Sequence, residues 1–243
     1  MYENKTIEEV CRQFECNGRT GLTQEEAGTR LEHYGKNMLR EAKKKTLAQR
    51  FAEQLCDSLI FVLFAAAGIS IMLHEYSDAV IILAVVAMNA VVGVIQEGKA
   101  EKALESLRKM TKLEAVVIRG GREMTVPAEE LVPGDLVVLD AGRQVPADLR
   151  LVQGANLKIE ESALTGESVP VSKSSTFVAA SEVQVGDRKN MAFMTSYVTN
   201  GRGCGIVTAT GMATEIGRIA ALIHEAPEEE TPLQKRLRIW ERC

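Results

Sequence analysis

The sequence predicts an α+β membrane protein: an N-terminal helical segment, a two-helix transmembrane hairpin with a cytoplasmic stalk, and an all-β domain with flanking helices. Two uncharged apolar runs, residues 59–73 and 79–95, lie close together in the first half of the chain. Lysine and arginine stand on their outer flanks and neither occurs in the short connector, the asymmetry expected of a hairpin whose two ends are cytoplasmic. From residue 114 the period changes to short β-rich runs broken by Gly and Pro. The organisation implied is a cytoplasmic helical segment at 1–50, a first transmembrane helix at 55–73, a second with its stalk at 79–112, a β-rich domain at 113–224 and a linker at 225–243.

Taken in order, Ile7, Val10, Cys11 and Phe14 recur at helical spacing, which predicts a short amphipathic helix ended by the glycines at 18 and 21. Thr23 with Glu26 is a capping-box pattern that starts a second helix, with Gly35 as its C-terminal cap and Ala27, Leu31 and Tyr34 facing inward. Lys43, Lys44, Lys45 and Arg50 form a solvated charge run whose place before apolar sequence also fits a lipid surface. Each apolar run is slightly shorter than the roughly 20 residues that cross a bilayer, so two buried core helices are the competing reading. A core helix ordinarily shows a polar face, and these runs show none. Asn89, alone among apolar neighbours, should face another helix or water and is assigned no ion. Ala100, Ala103, Leu104, Leu107 and Met110 keep one helical stripe among charged residues, so the second membrane helix should continue as a rigid stalk.

Residues 115–119 and 122–126 flank Gly120-Gly121, a hairpin signal. Pro133-Gly134-Asp135 and Pro146-Ala147-Asp148 read as turns leading into strands at 136–139 and 149–152. The two aspartates invite a metal pair, but Asp beside Pro and Gly is ordinary turn chemistry in which the carboxylate bonds nearby amides, and no metal site is assigned. Residues 172–188 read as an exposed loop, and 191–197 and 205–210 as strands, with Gly201, Gly203 and Gly205 marking a turn. Residues 213–224 read as a helix with Ile216, Ile219, Ala220 and Ile223 on one side. Many short strands with such turns indicate a sandwich or barrel.

Composition narrows the class. A formal net charge of −4 with mixed signs gives no footprint for nucleic acid, so no nucleic-acid partner is expected. Cys11, Cys16, Cys56, Cys204 and Cys243 are scattered, with no C-x-x-C pair, which reads as free thiols in a reducing compartment. Residues 1–15 are polar and charged, unlike a signal peptide.

The chemistry concentrates in Leu164-Thr165-Gly166-Glu167-Ser168. Gly166 permits the positive φ of a sharp reversal, and Thr165 and Ser168 can bond the turn's own amides. Glu167 is then free to point outward, where a carboxylate can orient or deprotonate a water once an electrophile is brought to it. An ordinary exposed loop would carry the same letters. Context decides: Val132-Pro133-Gly134-Asp135-Leu136-Val137 and Val145-Pro146-Ala147-Asp148 stand upstream, Thr231-Pro232-Leu233-Gln234 downstream, and the two apolar spans in front. In this order the set resembles the N-terminal portion of a P-type cation-transporting ATPase, closest to the calcium-pump (type II) branch, to about residue 237.

That resemblance implies a distorted jelly-roll actuator domain against which the N-terminal helices pack, and a stalk through which its motion reaches the membrane. It implies that Glu167 positions water for hydrolysis of an aspartyl phosphate, with Thr165, Gly166 and Ser168 supporting the loop. The implied partners are the lipid bilayer, the phosphorylation and nucleotide-binding domains of the complete pump, and the transported cation. ATP and Mg2+ are implied for the complete pump, and no cofactor for this fragment. The implied location is the plasma membrane, as an integral protein with both termini cytoplasmic. Neither D-K-T-G-T nor the full phosphate-cradle motif G-x-x-x-x-G-K-[ST] occurs, the string Gly93 to Lys99 being followed by Ala100, and residues 238–243 do not continue into a third apolar span. The expectation is therefore a fragment inactive alone, with calcium as cargo on overall similarity. A reading of another class stays open: a truncated, non-catalytic, membrane-anchored interaction module.

Overall fold

Capping chemistry sets the first helices of the chain, described in a computed structural model over residues 2–40, 46–55, 58–110, 113–181 and 183–225. Helix α1 (Ile7–Gln13) starts at Thr6, whose hydroxyl accepts from Glu9 N while Glu9 answers to the Thr6 amide. The sequence carries this second capping box as plainly as the one at Thr23, where Glu26 N donates to Thr23 Oγ1 at 3.2 Å and Thr23 N to Glu26 Oε2 at 2.7 Å. That box opens α2 (Gln24–Tyr34), which ends on Gly35 at φ 74°. Ala27 is buried, but Tyr34 is 55% exposed, a correction to the inward face expected of it. The run Lys43, Lys44 and Lys45, Cys56, and everything after residue 225, including Cys243 and the linker, lie outside the described residues.

The described residues divide into two units, one drawn from Met1–Arg40 and Leu113–Cys243, the other from Glu41–Lys112. The second unit holds α3 (Leu47–Leu55), α4 (Ser58–Met72) and α5 (Tyr76–Met110). Helices α4 and α5 pack against each other. Ala67, Ala79, Val86 and Ala90 are buried, while Phe61, Val62, Ile69, Val80, Ile81 and Met88 are exposed. At the 1.5 Å rise of an α-helix, the 15 residues of α4 reach about 22 Å and the 35 of α5 about 52 Å, against a hydrocarbon core of about 30 Å. One described helix is thus long and apolar enough to cross a membrane, Tyr76–Leu104 within α5, and Ile60–Met72 is a shorter apolar helix. Asn89 is exposed on α5, and that helix runs on without a break through the stretch expected as the stalk.

The first unit is built on one seven-stranded antiparallel sheet: β1 (Glu114–Arg119), β2 (Arg122–Pro127), β3 (Leu136–Asp140), β4 (Asp148–Glu160), β5 (Val171–Ser172), β6 (Met191–Ala192) and β7 (Tyr197–Ala209). Their order is β2-β1-β3-β7-β4-β5, with β6 on β4. Gly120 and Gly121, at φ 56° and 76°, make the two-residue hairpin between β1 and β2, a conformation open to glycine at both places. The period of a strand sorts β3 between two clusters. Val137 and Leu139 join the main core with Leu149, Leu151 and Val207. Leu136 joins Ile206 in a second cluster under Val10, Cys11 and Phe14, so the N-terminal helices cover that face of the sheet.

Two strand expectations are corrected. Gly201, Gly203 and Gly205 mark no turn; they lie inside β7, a strand of 13 residues. A Cβ at Gly201 would stand 2.3 Å from the Asn156 carbonyl oxygen, and one at Gly203 2.7 Å from that of Gln153, so these glycines admit the bulged β4 backbone at close range. The strand expected at 191–197 is shortened to β6, because the chain turns through Thr195 at φ 73° before β7 begins. Short helix α6 (Ser162–Thr165) follows β4, and α7 (Glu215–Glu225) closes the described chain with Ile219, Leu222 and Ile223 exposed.

Candidate functional site

The turn singled out in the sequence is assembled by the carbonyl of Glu161, the residue just after β4. That oxygen accepts from Leu164 N at 2.9 Å, Thr165 N at 3.0 Å and Thr165 Oγ1 at 3.1 Å, which winds residues 162–165 into α6. Gly166 caps it in the left-handed region, φ 76° and ψ −4°, and its N–H donates to Ser162 O at 2.9 Å. The Thr165 hydroxyl then accepts from Glu167 N at 3.2 Å. Glu167, Ser168, Val169 and Pro170 are all exposed, so the carboxylate stands at the tip of a turn held from behind. Thr165 and Gly166 thus shape the turn, whereas no hydrogen bond of Ser168 is found among the described residues.

The base of the turn is closed twice. Strand β5 pairs back onto β4, with Val171 opposite Ile159 and Ser172 opposite Lys158. Beside this backbone closure, Lys173 Nζ meets Glu161 Oε1 at 2.5 Å, both side chains wholly buried. Burial raises the Glu161 carboxyl and lowers the Lys173 ammonium, and the mutual attraction opposes both shifts. The turn Val185–Asp187 abuts α6, where a Cβ on Gly186 would lie 3.2 Å from Thr165 Cγ2.

The two aspartates beside prolines do separate structural work. Asp135 does bond a nearby amide, Val132 N at 3.0 Å, but it also takes Arg119 Nε at 2.9 Å and a second guanidinium nitrogen at 2.7 Å in a buried bidentate pair. Asp148 departs from the expectation of nearby amides: its oxygens accept from Met194 N at 2.9 Å and Glu215 N at 2.8 Å, far along the chain. It therefore fastens the start of β4 to the N-terminus of α7. Among the described residues no group of three or more His, Cys, Asp and Glu side chains is placed to hold a metal.

Burial pushes the Asp148 carboxyl up to about 6, the two amide bonds offsetting part of the rise. Because its pKa is raised from an ordinary 3.8, the folded state holds this proton more tightly than the unfolded chain. The linked stability is present at low pH and lost as pH rises through about 4 to about 6. Against an Asp148→Asn reference, the wild-type chain should lose on the order of 2–3 kcal/mol between about pH 4 and about pH 7, read by urea unfolding at both ends.

Several buried polar groups around the turn had no signal in the sequence. Arg150 is wholly buried and donates to the carbonyls of Leu151 at 2.7 Å, Lys5 at 3.1 Å and Ser175 at 3.2 Å. Arg188 pairs with Glu3 at 3.5 Å and Glu215 at 3.1 Å. Each looks like an isolated surface charge in the linear text, and only tertiary contacts reveal its partner.

Comparison with known proteins finds two family models and a set of relatives. Residues 109–224 match the family model described as the P-type ATPase actuator domain, and residues 2–70 match that described as the cation transporter/ATPase N-terminus. The chain is 51% identical over 238 residues to calcium-transporting ATPase 1 of Bacillus cereus, covering 96% of this chain and 27% of the relative. It is 48% identical over 230 residues to the probable cation-transporting ATPase F of Mycobacterium tuberculosis, covering 94% and 25%. It is 43% identical over 219 residues to the calcium-transporting ATPase of Bacillus subtilis, covering 90% and 25%. The chain thus spans about a quarter of the length of the curated relatives it matches.

Proposed function

Because the chain belongs to the P-type cation-transporting ATPases and carries their N-terminal and actuator regions, we propose that it supplies the dephosphorylating module of an ATP-driven cation pump. In this reading Glu167 is brought to an aspartyl phosphate on another domain, orients a water for in-line attack and accepts its proton. Thr165 and Gly166 hold the turn in shape, and Ser168 stands beside the acid to bond phosphate or carboxylate. The observation that carries the proposal is the exposure of Glu167 at the tip of a turn held by hydrogen bonds of the Leu164, Thr165, Gly166 and Glu167 amides.

The bulged sheet is read as the distorted jelly roll of the actuator domain. Helices α4 and α5 are read as a hairpin whose exposed apolar side chains face lipid, with both chain ends cytoplasmic and the plasma membrane as host. For α4, whose reach is short of the core thickness, crossing requires residues before Ser58 or after Met72 to contribute. The cargo is proposed to be Ca2+, following the names of the Bacillus relatives. ATP and Mg2+ would be held by other domains of the pump; the motifs that bind them do not stand in this sequence, and no residue here is assigned to either. The test is decay of the radiolabelled phosphoenzyme in the complete pump after an unlabelled chase. Glu167→Gln should let the phosphoenzyme form and slow its breakdown, and breakdown at the wild-type rate would remove the assigned role.

A further inference from the structure

The buried pair between Lys173 and Glu161 takes no direct part in the proposed chemistry, yet one of its members builds the turn that presents Glu167. Both side chains are inaccessible, and among the described residues no other donor reaches the Glu161 carboxylate. A buried ion pair is weak evidence for stability, since replacing both partners by apolar residues is often neutral or stabilising. What such a pair does supply is geometry, because an ionised carboxylate in a dry site has one favourable place to be.

Here that place is fixed from the lysine side. Lys173 N donates to Leu157 O at 2.9 Å, which sets its backbone on β4. Its Nζ donates to Arg188 O at 3.4 Å and lies 5.5 Å from the centre of the Phe193 ring. The ammonium thus has contacts of its own besides the one to Glu161. Glu161 then does two things at once. Its side chain is drawn to that fixed cation, and its carbonyl receives the three donors that wind Ser162–Thr165 and, through the Thr165 hydroxyl, set the Glu167 amide.

We propose that the Lys173–Glu161 pair is a positioning device for the reaction: the fixed lysine orients Glu161, and the Glu161 carbonyl orients the turn that presents Glu167. The proposal rests on the reading of Glu167 as the water-orienting acid. Both side chains are wholly buried, so both act through the turn. Small misplacement of a reacting group is sufficient to cost on the order of 100-fold in rate, so loss of the pair should be visible in the chemical step.

The test uses the complete pump carrying this chain, with three variants: Lys173→Met, the apolar double replacement of Glu161→Leu with Lys173→Met, and Glu167→Gln. Formation of phosphoenzyme from ATP, its decay, thermal unfolding and amide hydrogen exchange over residues 162–170 are measured on each. The double variant should unfold within a few degrees of wild type and form phosphoenzyme at a rate within about twofold. Its phosphoenzyme should decay about 10-fold more slowly or worse, and exchange over the turn should rise about 10-fold. Lys173→Met should show the same two changes with an added loss of thermal stability, because it leaves a buried charge without a partner. Glu167→Gln should slow decay without altering exchange. A folded double variant with wild-type decay and wild-type exchange would overturn the positioning role. Wild-type decay in Glu167→Gln would overturn the underlying reading by itself, whatever the pair does to the turn.

Discussion

In the complete pump, Glu167→Gln is expected to leave phosphoenzyme formation intact and to slow its breakdown by at least about 100-fold. The figure follows from what the substitution removes. Glutamine keeps the size of the side chain and a carbonyl oxygen that can accept a hydrogen bond, so a water can still be bound. It cannot take a proton at neutral pH, and general-base assistance of this kind contributes about 100- to 10,000-fold. The backbone should be indifferent: the turn is held by Thr165, Gly166 and the Glu161 carbonyl, and the exposed side chain bears no part of it. A variant that also failed to form phosphoenzyme, or that unfolded early, would point to a structural role that the geometry does not provide.

Removing Asp135 should have the largest effect on stability. Asp135→Ala leaves the Arg119 guanidinium, whose side chain is only 4% exposed, without its bidentate partner, and orphans the Val132 amide as well. Breaking a buried pair on one side costs about 3–5 kcal/mol. For a unit of this size that corresponds to a fall of about 10 °C or more in Tm, measurable by scanning calorimetry. Arg119 also donates to Gln24 Oε1 at 3.2 Å and Glu130 O at 3.3 Å, so the loss should loosen α2 from the sheet. The double variant Asp135→Ala with Arg119→Met should recover most of the stability, because it removes the uncompensated charge. A single variant within about 1 kcal/mol of wild type, inside the range of about 0.5–3 kcal/mol of most substitutions, would show that water reaches and solvates the arginine.

How much of this was legible in the sequence depended on whether the signal was local. Capping boxes, the Gly120-Gly121 hairpin and the left-handed Gly166 were readable because each is a contract between residues a few positions apart. The outward Glu167 belongs with them, since the hydrogen bonds that wind its turn run between residues 161–167. The failures were of range. Gly201, Gly203 and Gly205 look like a turn in one dimension; that the first two accommodate Asn156 and Gln153 is knowledge held by another strand. Asp148 looks like a turn residue, and its partners at Met194 and Glu215 carry no mark of it. The Lys173–Glu161 pair was invisible for the same reason: neither residue has a period or a motif, and their burial follows from the pairing of β5 on β4.

The order of the two units along the chain has a mechanical corollary. One body is interrupted: it is drawn from Met1–Arg40 and resumes at Leu113, with Glu41–Lys112 spliced into the gap. The unit of apolar helices is therefore a loop with both roots in the same soil, joined covalently to the sheet-bearing body at its entry and its exit. Severing the chain at either join alone would still leave the inserted helices tied to that body at the other, whereas a terminal tether would be lost at a single cut.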